Sequence, residues 1–260
     1  MPTIKISNVS KSYINNEGEP TDALLDINLT IEDGEFVCIV GPSGCGKSTL
    51  LEIIAGLIPR TSGEVYLDDT LINGTSTDIG VVFQDASLYP WRTVKRNIGL
   101  GMDLAKIPRK DQEEKINRYI QLMNLNGFEN KFPAQLSGGM RQRAGIARTL
   151  VMNPKVVLMD EPFSAVDHLT RCTLQDELIR IHRDEKKTLL FVTHDINEAV
   201  YLADRIILLT PRPGTIQREY RVKRDYEMKR GDAYLIDLAG QIMADITRGK
   251  DFNENMEYMI

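Results

Sequence analysis

The stretch Gly41-Pro42-Ser43-Gly44-Cys45-Gly46-Lys47-Ser48-Thr49 lies between an apolar run, Phe36–Val40, and a helical pattern over residues 49–57. Its three glycines let the backbone curl with the N–H groups pointing inward, which makes a nest for anionic oxygens. The first turn of the following helix adds the positive end of its dipole. Lys47 is long enough to reach the β- and γ-phosphates of a nucleotide, and the Ser48 hydroxyl suits Mg²⁺. A glycine-rich turn that binds nothing has no need of Lys-Ser at its end. The stretch predicts a nucleoside-triphosphate site in an α/β fold, with residues 41–49 as the cradle.

Composition narrows the setting. The chain has 260 residues, 42% hydrophobic and 27% charged, enough for one large domain or two small ones with a proper core. A net charge of −5 speaks against nucleic acid as the partner, because phosphate-backbone binding needs a basic face. Cys38, Cys45 and Cys172 form no paired framework and no CxxC, which points to a reducing compartment. The start, Met-Pro-Thr-Ile-Lys-Ile, lacks the apolar core of a signal peptide. No apolar run approaches the ~18 residues that span a bilayer. The expectation is a cytoplasmic protein, free to sit on a membrane partner.

Short β-rich runs are predicted over residues 3–7, 26–31, 36–40, 64–67 and 80–83. Ile116, Tyr119, Ile120 and Met123 recur at helical spacing, and a second helix is expected over residues 140–152. An α/β rhythm then returns, with strands at 156–159, 188–193 and 206–209 and a helix at 169–184. Continuous apolar strands alternating with helices imply a parallel sheet covered on both faces. The helical middle is therefore expected as an insertion in one nucleotide-binding core. After Gly214, the basic residues Arg218, Arg221, Lys223, Arg224, Lys229 and Arg230 are expected to form a solvated link. Leu235, Leu238, Ala239, Ile242 and Ile246 then predict an amphipathic helix that docks on its own domain.

Two further stretches carry chemistry. The strand Val156-Val157-Leu158-Met159 ends in Asp160-Glu161, at the strand end where open α/β sheets bind ligands. Asp160 suits a Mg²⁺ ligand opposite Ser48, and Glu161 suits a general base that polarises the water attacking the γ-phosphate. In Leu136-Ser137-Gly138-Gly139-Met140-Arg141-Gln142-Arg143, Ser137 can cap a helix whose first N–H groups, at Gly138 and Gly139, form a second anion-binding terminus. The helix N-terminus can also lower the thiol pKa of Cys45, which would make that residue reactive.

This last stretch resembles the LSGGQ signature of the ATP-binding cassette (ABC) family, with Met140 at the variable fifth position. Other elements of the resemblance follow in order. Gln84 in Val82-Phe83-Gln84-Asp85 matches the glutamine that senses Mg²⁺ and the attacking water and links to the membrane partner. Ser164-Ala165-Val166-Asp167 matches the loop that crosses the dimer interface, with Val166 where Leu is usual. His194 in Phe191-Val192-Thr193-His194-Asp195 matches the histidine that contacts the γ-phosphate, and Tyr13 in Lys11-Ser12-Tyr13 the aromatic that stacks on adenine. His168 and His182 receive no role.

The resemblance covers roughly residues 2–215 and implies the following organisation. A P-loop core with a parallel sheet carries an N-terminal antiparallel β subdomain (core and β together over 1–85). A helical subdomain occupies 86–152, the core resumes over 153–215, and 216–260 is an extension. It also implies an ATPase that works as a head-to-tail homodimer, or beside a paired cassette, with two ATP and Mg²⁺ between the chains. In such a dimer, Ser137 to Gly139 serve the ATP held by the partner subunit.

Leu88-Tyr89-Pro90-Trp91-Arg92-Thr93-Val94 with Asn97, and Pro211-Arg212-Pro213-Gly214, resemble segments of importer ATPases for nitrate, sulfonates and taurine. They imply a membrane permease, a solute-binding protein and a place on the inner face of the membrane. An apolar, aromatic loop is also what a groove for a partner's helix requires. A soluble ABC ATPase with a regulatory or assembly role is the alternative, and the transported solute is not legible.

Overall fold

The computed structural model describes residues 3–15, 18–223 and 228–257, with side chains through residue 248. Two compact units divide it, one of Met1–Ser76 with Lys186–Ile260 and one of Thr77–Glu185. The chain enters the first unit through β1 (Ile4–Ile14), β2 (Pro20–Ile31), β3 (Phe36–Val40), α1 (Lys47–Ile54), β4 (Ser62–Leu67) and β5 (Thr70–Leu71). In the second unit come β6 (Ile79–Val82), α2 (Val94–Ile98), α3 (Leu100–Leu104), α4 (Arg109–Leu122), α5 (Gly138–Leu150), β7 (Val156–Asp160) and α6 (His168–Glu185). The first unit then closes with β8 (Thr188–Val192), α7 (Ile196–Leu202), β9 (Arg205–Leu209), β10 (Ile216–Arg221) and α8 (Ala233–Glu257).

Two sheets build the first unit. One is antiparallel in the order β2-β1-β4-β5. The other sets β3 parallel to both β8 and β9, with β10 antiparallel on the edge of β9. Every residue of β3, β8 and β9 is buried, as expected of strands covered on both faces. β3 leads into the loop of residues 41–46, and β8 into the turn Thr193-His194-Asp195. In the second unit β6 and β7 pair in parallel, and α5 packs against β6, α2 and α4.

β1 and β2 run further than the sequence predicts. Their ladder shifts register between Ile6 and Val9, where Asn8 takes φ 50°, and Asp26 on β2 takes φ 48°. A bulge of this kind breaks the alternation that marks a strand. Asn8 and Asp26 are suited to it because their short polar side chains bond locally, here Asn8 Nδ2 to Asp26 Oδ1 at 2.8 Å.

The basic link is also more ordered than expected. Residues 216–221 form β10, with only Tyr220 buried along it, and Arg224 lies outside the described residues. α8 returns onto the same unit. Leu235, Leu238 and Ile242 are buried, and the Asp245 carboxylate accepts from Tyr220 Oη at 2.5 Å and from Arg218 at 2.6 Å. Among the described residues no helix is long and apolar enough to cross a membrane.

Candidate functional site

The predicted site residues fall into both units. Tyr13, residues 41–49 and His194 lie in the first, and Gln84, Ser137 to Gly139, Asp160 and Glu161 in the second.

In the first unit, β3 delivers the chain to residues 41–46, and α1 starts at Lys47. Gly46 occupies the N-cap with φ 98° and no side chain caps the helix, so its first N–H groups face the loop. A Cβ on Gly46 would stand 2.6 Å from Leu24 Cδ2 and 2.9 Å from Ala23 O, so β2 fixes this glycine as well. From the other side Gly214 closes on the loop. Its N–H donates to Ala23 O at 2.9 Å, and a Cβ there would lie 2.0 Å from Cys45 O. The Pro211-Arg212-Pro213-Gly214 turn is thus a wall of the cradle, which sequence reasoning did not see.

Lys47 is only 7% exposed. Its ammonium donates to Gly41 O and Pro42 O, each at 2.9 Å, so the charge is held inside the curl of the loop. Ser48 and Ser43 are exposed. Cys45 is fully buried, and burial pushes its thiol pKa up against the opposing pull of Lys47. The expectation of a reactive, acidified thiol is corrected: desolvation outweighs the helix terminus and the cation.

β8 ends on the turn Thr193-His194-Asp195 that leads into α7. The His194 side chain is exposed, while Thr193 beneath it is buried. Thr193 N–H donates to Ile39 O at 3.2 Å, which ties the turn to the strand that carries the phosphate loop. Asp195 Oδ1 caps α7 by accepting from the N–H groups of Asn197 and Glu198. Tyr13 sits near the end of β1, half exposed, with Lys11 Nζ 4.9 Å from its ring centroid.

In the second unit α5 organises two loops. Ser137 caps it by accepting from Met140 N–H at 3.3 Å, as its position before the helix predicts. From its length, Gln142 Nε2 donates to Phe83 O at 2.9 Å, and Arg148 donates to Ala86 O and Ser87 O, both at 2.9 Å. The carbonyls flanking Gln84 are thereby fixed to the helix that begins at Ser137, while Gln84 itself is exposed. Gln142 and Arg148 had no assigned role in the sequence.

Asp160 ends β7, and Glu161 follows with φ 41°, a conformation that costs a non-glycine residue about 1–2 kcal/mol. The turn after it closes through Ser164 N–H to Glu161 O at 3.1 Å. Asp167 caps α6 through the N–H of Thr170. That hydrogen bond holds its carboxyl below the usual aspartate range, with a smaller pull from Arg143 of α5.

The loop before α2 has a different construction. Trp91 is 71% exposed and meets Tyr89 edge to face at 5.3 Å. Beneath them Asn97 is fully buried. Its Oδ1 accepts from Tyr89 N–H at 2.8 Å, and its Nδ2 donates to the carbonyls of Tyr89, Arg92 and Thr93. Trp91 also borders a groove of about 530 Å³, whose wall includes Lys95, Arg96, Arg109, Glu113 and Ile116.

The chain is also similar to known proteins. The ABC transporter family profile matches residues 24–164. The chain is 50% identical over 87% of its length, and 84% of the relative's, to an uncharacterized ABC transporter ATP-binding protein, MJ0412, of Methanocaldococcus jannaschii. It is 42% identical to a nitrate import ATP-binding protein, NrtD, of Synechocystis sp., covering 96% of this chain and 97% of that one. An aliphatic sulfonates import ATP-binding protein, SsuB, of Bacillus cereus is 39% identical, over 95% and 97%. Among solved structures, the bacterial ABC transporter cassette MJ0796 superposes with a TM-score of 0.78. Its dimeric form is 37% identical, and a dimeric post-hydrolysis form bound to ADP and Pi is 36% identical; each match covers 85% of this chain and 100% of the other. On these matches the chain belongs to the ABC transporter family as an ATP-binding cassette ATPase.

Proposed function

We propose that this ATPase powers import of a small solute through a separate membrane permease. The observation that carries the reading is Trp91, exposed at the edge of a groove on a loop whose backbone at Tyr89, Arg92 and Thr93 is held by a fully buried asparagine. Large aromatics presented rigidly to solvent beside a concave surface suit the docking of a partner's helix. The nitrate and sulfonate import names of the relatives favour a small oxyanion-bearing solute such as nitrate, a sulfonate or taurine, delivered by a solute-binding protein. Such a subunit works at the inner face of the cytoplasmic membrane. In this reading residues 1–215 are the cassette and 216–260 an extension that braces it.

The working unit is a dimer, as in the solved MJ0796 cassettes. Tyr13 stacks on adenine, and the N–H groups of residues 41–49 and Lys47 hold the β- and γ-phosphates. Ser137 to Gly139 of the opposite chain face the same γ-phosphate from a second helix terminus. Glu161 takes the proton of the attacking water as general base, and His194 and Gln84 orient that water against the phosphate.

Ser48, Gln84 and Asp160 are the residues that would hold Mg²⁺. Their hydroxyl, amide and carboxylate oxygens are the hard donors this ion takes. When bound, it supplies charge neutralisation across the β- and γ-phosphate oxygens.

Glu161→Gln is expected to keep ATP binding, slow hydrolysis by ~10²–10⁴-fold and accumulate an ATP-loaded dimer. Size-exclusion chromatography with and without ATP checks this. A variant that stays monomeric at saturating ATP, with turnover unchanged, would remove Glu161 from the mechanism.

A further inference from the structure

We infer that Glu198 is a positioning residue for His194, acting through the hydroxyl of Thr193. The two groups stand 2.5 Å apart, with Thr193 Oγ1 donating to Glu198 Oε2. Glu198 is 7% exposed and Thr193 2%, so this is a charge-assisted hydrogen bond within the unit rather than a surface contact. With its proton committed to Glu198, Thr193 Oγ1 turns a lone pair to the far side of the turn, where it accepts from Asp195 N–H at 3.0 Å. Asp195 in turn spends its carboxylate on the N–H groups of Asn197 and Glu198. The network closes on itself around His194. The residue before it is tied to Glu198 and to Ile39 O, and the residue after it to Thr193 and to α7.

The imidazole stands exposed on a turn whose two flanking residues cannot rotate independently. The Thr193–Glu198 bond ties the residue before His194 to α7. A loop of this kind must present a side chain to within a fraction of an ångström of a reacting phosphate, and a 1 Å error can cost on the order of 10²-fold in rate.

The inference rests on the proposed role of His194 at the γ-phosphate, and its test separates the two. ATPase kinetics and thermal unfolding are measured on the full chain for Glu198→Ala, Glu198→Gln, Thr193→Val, Thr193→Ser, His194→Ala and the double variant Thr193→Val/His194→Ala. Glu198→Ala and Thr193→Val are expected to lower kcat by ~10–100-fold while the KM for ATP stays within about twofold. Glu198→Gln keeps an oxygen that accepts from Thr193, and Thr193→Ser keeps the hydroxyl, so both should remain within about threefold of the parent. The double variant should be no slower than His194→Ala alone, because both changes disable one device.

Multiplicative losses in the double variant, a rise in KM with kcat intact, or full activity in Thr193→Val would each overturn the role of Glu198. Should Glu198→Ala fail to fold, Thr193→Val decides, since it is isosteric and leaves the carboxylate in place. Unchanged turnover in His194→Ala would instead overturn the reading of His194 and, with it, this inference.

Discussion

Two loops of this protein are both rigid, but by opposite means. Residues 41–46 are held by backbone: Gly46 takes a left-handed φ, neighbouring chain walls exclude a Cβ at Gly46 and at Gly214, and the Lys47 charge folds inward onto carbonyls. Residues 88–93 are held by one side chain, Asn97, whose amide binds backbone groups of Tyr89, Arg92 and Thr93, and whose loop turns its aromatics outward. The first construction suits the proposed anion, because it leaves the helix's first N–H groups uncapped. The second frees side chains for a surface. A ligand site can therefore lose a side chain and keep its shape, whereas the aromatic loop should lose its shape with one amide.

Lys47→Ala is the largest expected effect and the sharpest test of the first half of that contrast. If Lys47 holds the phosphates as proposed, removing this buried, hydrogen-bonded cation should cost about 2–5 kcal/mol of nucleotide binding, at least ~30-fold in affinity. The loop fold is set by glycines and walls, so the melting temperature without nucleotide should change little. Equilibrium binding of a fluorescent ATP analogue and thermal unfolding measure the two quantities. Retained affinity would show that the charge works elsewhere; a collapsed fold would show that Lys47, and not the backbone, builds the loop.

Asn97→Ala tests the second half. Four hydrogen bonds vanish, and part-buried peptide groups each lose a partner, for a loss of about 2–3 kcal/mol of stability. Asn97→Asp keeps the acceptor for Tyr89 N–H but turns a buried carboxylate oxygen toward three carbonyls, so it should fall below alanine. Melting temperatures of the three proteins rank them. If alanine is as stable as asparagine, the loop is carried by its other neighbours and the contrast is void.

The same difference in construction decides what was legible. The shape of the loop over residues 41–49 could be read because local glycines and a strand-to-helix passage make it up. The roles of Asn97, Gln142, Arg148 and Glu198 were not legible, because each acts on a carbonyl, hydroxyl or N–H that only the fold brings near. Gly214 is an instructive middle case. Its motif was visible, but its function as a wall against Cys45 depends on an approach between residues far apart in sequence. Among the elements, buried strands β3, β7, β8 and β9 were plain from continuous apolar runs. The far halves of β1 and β2 hid behind bulges, and β10 among basic residues, since its pairing with β9 needs only one inward side chain, Tyr220. α7 escaped because seven residues give barely two turns of periodicity, although Asp195 before Asn197-Glu198 is a start signal.

A smaller effect concerns Cys45, which lies inside the cradle. Burial raises its thiol pKa, so at neutral pH the protonated, unreactive form dominates, and the thiolate grows only as pH rises. Cys172, partly exposed on α6, should react with iodoacetamide first, and Cys45 should follow more slowly, speeding up with pH. Peptide mapping by mass spectrometry over time resolves the order. Labelling of Cys45 ahead of Cys172 at pH 7 would mean that the helix terminus outweighs burial after all.

Trp91→Ala should have the smallest effect on the isolated chain and is the change that most directly probes what the outward loop is for. The side chain is 71% exposed and, among the described residues, its ring contact is Tyr89, so stability should move by no more than about 0.5 kcal/mol and ATP affinity not at all. The polar clasp of Asn97 stays intact, because none of its bonds involves the indole. If the loop exists to seat a permease helix, however, an exposed aromatic anchor is where binding energy concentrates, and its removal should cost about 2 kcal/mol or more of that association. Co-purification of the chain with membrane proteins from its own cells, parent against variant, reads this loss beside unchanged ATPase activity. A variant that still captures the permease would move docking elsewhere in the groove. One that fails to fold or to bind ATP would mean that Trp91 is structural despite its exposure, and that the outward loop is a piece of framework like the cradle it is contrasted with.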